Sequence, residues 1–136
     1  MIIKNKVEIN CSVIELLPSR IIKLRYKPDF EIQLKDVREL ETVFVHLAGE
    51  NDIYCLMDMS GRFNTVTKEA QNFLSKEAAI VTEKKLKASA IVIDNLPNRI
   101  ITKFFIKFFK PSFKTKIFSK IEQAEAWLIE LREINN

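Results

Sequence analysis

Two aspartates close two apolar runs. Asp58 ends IYCLMD and Asp94 ends ASAIVID, and if both runs are central parallel strands, their carboxylates emerge where ligands of open α/β sheets bind. Two neighbouring carboxylates there can hold a magnesium ion or perform acid–base work. The simpler role is to accept backbone hydrogen bonds in the strand-to-helix turn, as Asp commonly does. Asn95, Asn98 and Arg99 follow at the same edge. They can bind an anion at the start of a helix, or only cap that helix and close the turn.

Other catalytic parts are missing. His46 is the only histidine and shares a helical face with Glu39 and Thr42, away from the apolar stripe. The sequence has no G-x-S-x-G elbow, no G-x-x-x-x-G-K-[ST] phosphate loop and no paired-cysteine metal spacing. Cys11 and Cys55 sit among strand-forming residues, as buried thiols do. A non-enzymatic protein without metal or organic cofactor is expected.

The 136 residues suit a single domain, 1–136, and the 47% hydrophobic and 29% charged composition is that of a globular chain. No apolar run is long enough to span a bilayer, and MIIKNKVEIN lacks the pattern of a signal peptide, so a cytoplasmic location is expected. The net charge of +4 is unevenly spread. Between Asn95 and Ile121 lie seven basic residues and no acidic one, whereas the remaining chain holds 15 basic against 18 acidic residues. Such a patch speaks to partners rather than to fold.

Around these residues the chain alternates and repeats. Val7, Ile9, Cys11 and Val13 alternate with polar residues as one strand, and Ile22, Leu24 and Tyr26 do so again after Pro18, giving an antiparallel hairpin. Val37, Leu40, Val43, Phe44 and Leu47 recur at helical spacing and stop before Gly49. A second helix is expected from about Thr67, with Ala70, Phe73, Leu74 and Val81 inward. The apolar runs ending at Asp58 and Asp94 do not alternate, as in parallel strands covered on both faces. A third helix, the short strand TKIF and a last helix opening at a Ser119–Glu122 capping box complete the order β-β-α-β-α-β-α-β-α: an α/β fold with a mixed sheet and helices packed on it.

The third helix is strongly two-sided. On a helical wheel Ile100, Ile101, Phe104, Phe105, Phe108 and Phe109 fill one half, and the basic face of Arg99, Lys103, Lys107 and Lys110 the other. Burying six such side chains contributes on the order of 10 kcal/mol, so they are expected in the core. The basic face, with Ile106 and Phe113, is then left to solvent or to an anionic membrane surface. Nucleic acid is an unlikely partner, because the aromatic rings needed for base stacking are committed elsewhere.

The last third of the chain is similar to the C-terminal part of small bacterial STAS/SpoIIAA-like proteins. The resemblance rests on Asn98-Arg99-Ile100, Phe104-Phe105, Lys110-Pro111, Thr115-Lys116-Ile117-Phe118 and Ala126-Trp127-Leu128, and elsewhere on the order of elements. It implies a SpoIIAA-like fold, in a group that includes anti-sigma-factor antagonists and CRAL-TRIO lipid-binding modules. Signalling members carry an Asp-Ser-Ser-Gly-like phosphoacceptor near a strand end similar to Asp58-Met59-Ser60-Gly61. Here the serine pair is missing, Thr65 or Thr67 is the nearest hydroxyl, and Thr67 equally suits a helix cap.

The resemblance implies a regulatory or protein-interaction module that binds a protein partner, a second copy of itself included. The contact surface is expected at Asp58, Ser60, Thr65 and Thr67, with Asp94, Asn95, Asn98 and Arg99 beside them. The alternative is a carrier or sensor of a small anionic or lipid ligand in an apolar pocket at that end of the sheet.

Overall fold

A computed structural model describes residues 5–62 and 64–135. A six-stranded sheet runs β1 (Lys6–Glu8), β2 (Ser12–Leu16), β3 (Ile22–Tyr26), β5 (Ile53–Asp58), β7 (Leu86–Val92), β8 (Lys114–Phe118) in spatial order. The first three strands pair antiparallel, and β3, β5, β7 and β8 are parallel. Two-residue strands β4 (Glu31–Ile32) and β6 (Thr65–Val66) form a separate parallel pair. The helices are α1 (Leu34–Ala48), α2 (Lys68–Asn72), α3 (Ala79–Thr82), α4 (Leu96–Phe109) and α5 (Ile121–Asn135), with a π-helical turn at Phe73–Glu77 between α2 and α3.

The sheet is covered on both faces, which is why β5 and β7 read as unbroken apolar runs. On one face Ile22, Leu24, Tyr26, Ile53 and Cys55 pack with Val37, Leu40 and Phe44 of α1 and with Ala70, Ile80 and Val81. On the other, Tyr54, Leu56, Ala88, Ala90 and Val92 pack with Ala124 and Leu128 of α5. Trp127 of α5 lies 5.6 Å, centroid to centroid, from Phe118 at the end of β8. The mixed-sheet α/β architecture and its element order thus agree with the sequence reading.

Three local expectations are corrected. Residues 7–13 are not one strand: Ile9 N donates to Ser12 O (2.9 Å), the chain folds back at Asn10, and β1 pairs with β2. The turn resets the alternation, so Ile14 is buried and Val13 only half-buried. The single helix from Thr67 is broken, because Ala78 N bonds Phe73 O five residues back and Ala78 leaves the helical conformation. Glu41 of α1 then accepts the Ile80 amide at 2.9 Å, replacing a side-chain cap for α3. Finally, α5 starts at Ile121, with Ala124 N bonded to Lys120 O, so the capping box expected at Ser119 lies outside the first turn. Gly49 closes α1 as expected, at φ 60°, with its amide on Val45 O.

Candidate functional site

The strand ends carrying Asp58 and Asp94 meet at one turn. Met59 N donates to Val92 O, continuing the β5–β7 ladder one residue further, and Arg62 N donates to Met59 O, closing residues 59–62 around Gly61 at φ 65°. Asp58 is buried beneath this turn. Its Oδ1 accepts from Ser60 N (3.0 Å) and Ser60 Oγ (2.6 Å), and its Oδ2 pairs with Arg25 Nη1 at 2.7 Å. Arg25 Nη2 also donates to Ser60 O at 3.0 Å. Asp94, exposed on the far side, receives Gly61 N at 3.1 Å from each carboxylate oxygen.

The following helix is riveted to the same turn. Asn95 caps α4 by accepting Asn98 N (2.9 Å), and Asn98 Nδ2 donates to Arg62 O (3.2 Å). Asp58, Ser60, Asp94, Asn95 and Asn98 are therefore brought together, as the sequence reading placed them. Both carboxylates, the Asn95 side-chain oxygen and the Asn98 side-chain amide nitrogen have partners in this turn or in Arg25, as turn and cap residues do. Among the described residues no group of three or more His, Cys, Asp or Glu side chains could hold a metal ion.

Thr65 and Thr67 belong elsewhere. Thr65 pairs with Glu31 in the β4–β6 ladder, and Thr67 N donates to Ile32 O (3.0 Å) while its hydroxyl accepts Ala70 N (3.2 Å) as the cap of α2. Asn64 fixes this segment by donating to the carbonyls of Lys27 (2.8 Å) and Phe30 (3.1 Å). The sequence reading missed Asn64 and Arg25. Arg25 follows only from the register: parallel pairing of β3 with β5, Leu24 beside Met57, sets the next residue of each strand, Arg25 and Asp58, side by side. His46 is exposed on α1, as expected. Cys11 and Cys55 are free, buried thiols, and burial pushes Cys55 up to about 12 although Ser89 bonds it.

The expected orientation of α4 is overturned. Leu96, Ile100, Ile101 and Phe104 are 69%, 48%, 60% and 70% exposed, and neither buried core cluster includes an α4 side chain among the described residues. The expectations for the side chains of Phe105, Phe108 and Phe109 fall outside the described residues. Arg99, Thr102 and Ile106 are half-buried, whereas Lys103, Lys107 and Lys110 are exposed. Amphipathic spacing predicts that an apolar stripe exists but not what covers it. Phe113, beyond the helix and expected on the outer face, packs against the first core cluster.

Among the described residues two cavities stand out, and neither is lined by Asp94. One of about 90 Å³ is almost wholly apolar and lies between sheet and helices, lined by Leu24, Leu40, Phe44, Cys55 and Phe113. The other, about 400 Å³, opens at the opposite end of the sheet among Arg20, Asn51, Asp52, Tyr54 and Arg132.

A sheet with an antiparallel hairpin at one side, parallel strands elsewhere and helices on both faces is the arrangement of a SpoIIAA-like fold. A solved structure supports that class: an uncharacterized protein of the DUF3478 family from Shewanella loihica PV-4, described as having a SpoIIAA-like fold. It is 15% identical, with a TM-score of 0.62 over 90% of this chain and 98% of that one, a likeness of fold alone. By sequence, the chain belongs to the DUF7793 family, a domain of unknown function, whose profile matches residues 15–132. No curated protein matches it.

Proposed function

We propose that this chain is a non-enzymatic interaction module whose working surface is the exposed face of α4. The carrying observation is the row Leu96, Ile100, Ile101 and Phe104, large apolar side chains left in water along one helix. Contiguous apolar exposure of this kind marks interaction sites on soluble proteins. The Asp58–Asn98 turn holds the root of α4 by polar bonds that need no partner, so it positions the surface rather than forming it. The satisfied carboxylates favour this reading over acid–base catalysis.

The test is photo-cross-linking in living cells. A photoreactive phenylalanine analogue at position 104 should give an adduct absent when the analogue replaces the exposed His46 of α1. Equal yields at the two positions would overturn the reading.

A carrier of a small anionic ligand is the second reading. It is favoured by the roughly 400 Å³ recess, a volume within the usual ligand range, where Arg20 and Arg132 stand beside Glu50 and Asp52. The 90 Å³ apolar cavity is too small for a lipid. Native mass spectrometry of protein purified from its host should show a mass excess lost on denaturation, and a bare polypeptide mass would remove this reading.

A further inference from the structure

We infer that the α4 face docks on an anionic lipid surface, the helix lying in the interfacial plane. The inference rests on the interaction-module reading and names its partner. Exposed apolar side chains and exposed lysines share the outward arc of this helix: Leu96, Ile100 and Phe104 form a row, with Lys103 at its side and Lys107 beyond Phe104. The surrounding segment, Asn95 to Ile121, carries seven basic residues and no acid, and the remaining chain is net negative. An anionic surface therefore attracts this side of the protein and repels the rest, which orients the approach.

A second copy is a poor occupant. Symmetric contact through this face would set two acid-free basic segments against each other. An acidic protein would meet the charge, but the core of a protein interface is depleted of charged residues. Lys103 and Lys107, bordering the apolar row, would lie against that core and lose part of their hydration there. At a lipid surface their stems lie along the apolar boundary while the ammonium groups reach the headgroups. No described helix is long and apolar enough to cross a membrane, and a helix of 14 residues lying in the interface need not.

The experiment is flotation of the full chain with vesicles of phosphatidylcholine alone and of phosphatidylcholine mixed with phosphatidylglycerol. The wild type should float only with the mixed vesicles, more weakly as salt is raised. Ile101→Ser with Phe104→Ser should weaken binding by roughly tenfold or more, and Lys103→Glu with Lys107→Glu should do the same by roughly tenfold or more. All four residues are exposed, so both double variants should keep the wild-type melting temperature. If one does not, the other carries the comparison.

No flotation of the wild type with mixed vesicles overturns the inference, as does equal flotation with neutral ones. Undiminished binding of the Ile101→Ser, Phe104→Ser protein also overturns it, because the lysines alone would then account for the attraction. Failed flotation together with a position-104 adduct leaves the interaction-module reading standing, with an acidic protein or a second copy in the lipid's place. Failure of both measurements removes both readings.

Discussion

Asp58 and Asp94 grip successive residues of one turn: Asp58 accepts the Ser60 amide at 3.0 Å and Asp94 the Gly61 amide at 3.1 Å. Two strands thereby share a single closure. The carboxylates that suggested catalysis in the sequence are the means by which the β5 and β7 ends hold the root of α4.

Arg25→Ala should be costly. It strips the buried Asp58 carboxylate of its cation at 2.7 Å, and a buried charge left without its partner costs about 3–5 kcal/mol. Arg25 is itself about a third exposed, so about 2 kcal/mol is expected after solvent screening. Urea unfolding measures it. A change within experimental scatter would mean that Ser60 alone satisfies Asp58.

The orientation of α4 is testable by stability alone. Phe104→Ser should change the unfolding free energy by no more than about 0.5 kcal/mol, as surface substitutions do. Leu128→Ala, removing a fully buried side chain of the second core, should cost about 2–5 kcal/mol. A loss above about 2 kcal/mol for Phe104→Ser would return that side chain to the core.

Alkaline destabilisation should carry a cysteine signature. The Cys55 thiol ordinarily titrates at 9.0 and is pushed up to about 12 by burial. Above 9.0 the unfolded chain releases this proton and the folded one retains it, so the folded state is progressively lost relative to the unfolded one up to about 12. Below 9.0 the full stability is present. Cys55→Ala should flatten the decline between those pH values, and an unchanged slope would place its origin elsewhere. Burial also raises Tyr26, which adds to the decline in the same direction.

Thr67 should behave as a cap. Thr67→Ala removes the oxygen that accepts Ala70 N at 3.2 Å and should cost about 1 kcal/mol, whereas Thr67→Asp, also a good cap, should cost little. A Thr67→Asp protein with altered cross-linking at position 104 and unchanged stability would instead revive regulation at this residue.

The elements read from spacing survived where one physical rule governed. The β5 and β7 runs and the α1 stripe are cases of this kind. Residues 7–13 failed because alternation records only local phase, and the turn at Asn10 shifts it between β1 and β2. In α4 the stripe was legible and its surroundings were not: hydrophobic spacing is the same for a helix pressed on a sheet and for one held out by its root. Asp58, Asp94 and Asn95 were legible as turn and cap residues. Arg25 was not, because its partner lies on another strand and is found only once the β3–β5 register is known.

Both margins of the sheet resist further strand addition. Among the described residues β1 spans three, with exposed Lys6 and Glu8, and β8 carries exposed Lys114 and Lys116. Short and charged edges discourage backbone pairing between molecules. A protein that keeps apolar side chains of one helix in water runs a risk of aggregation, and margins of this kind disfavour a β-rich route for it.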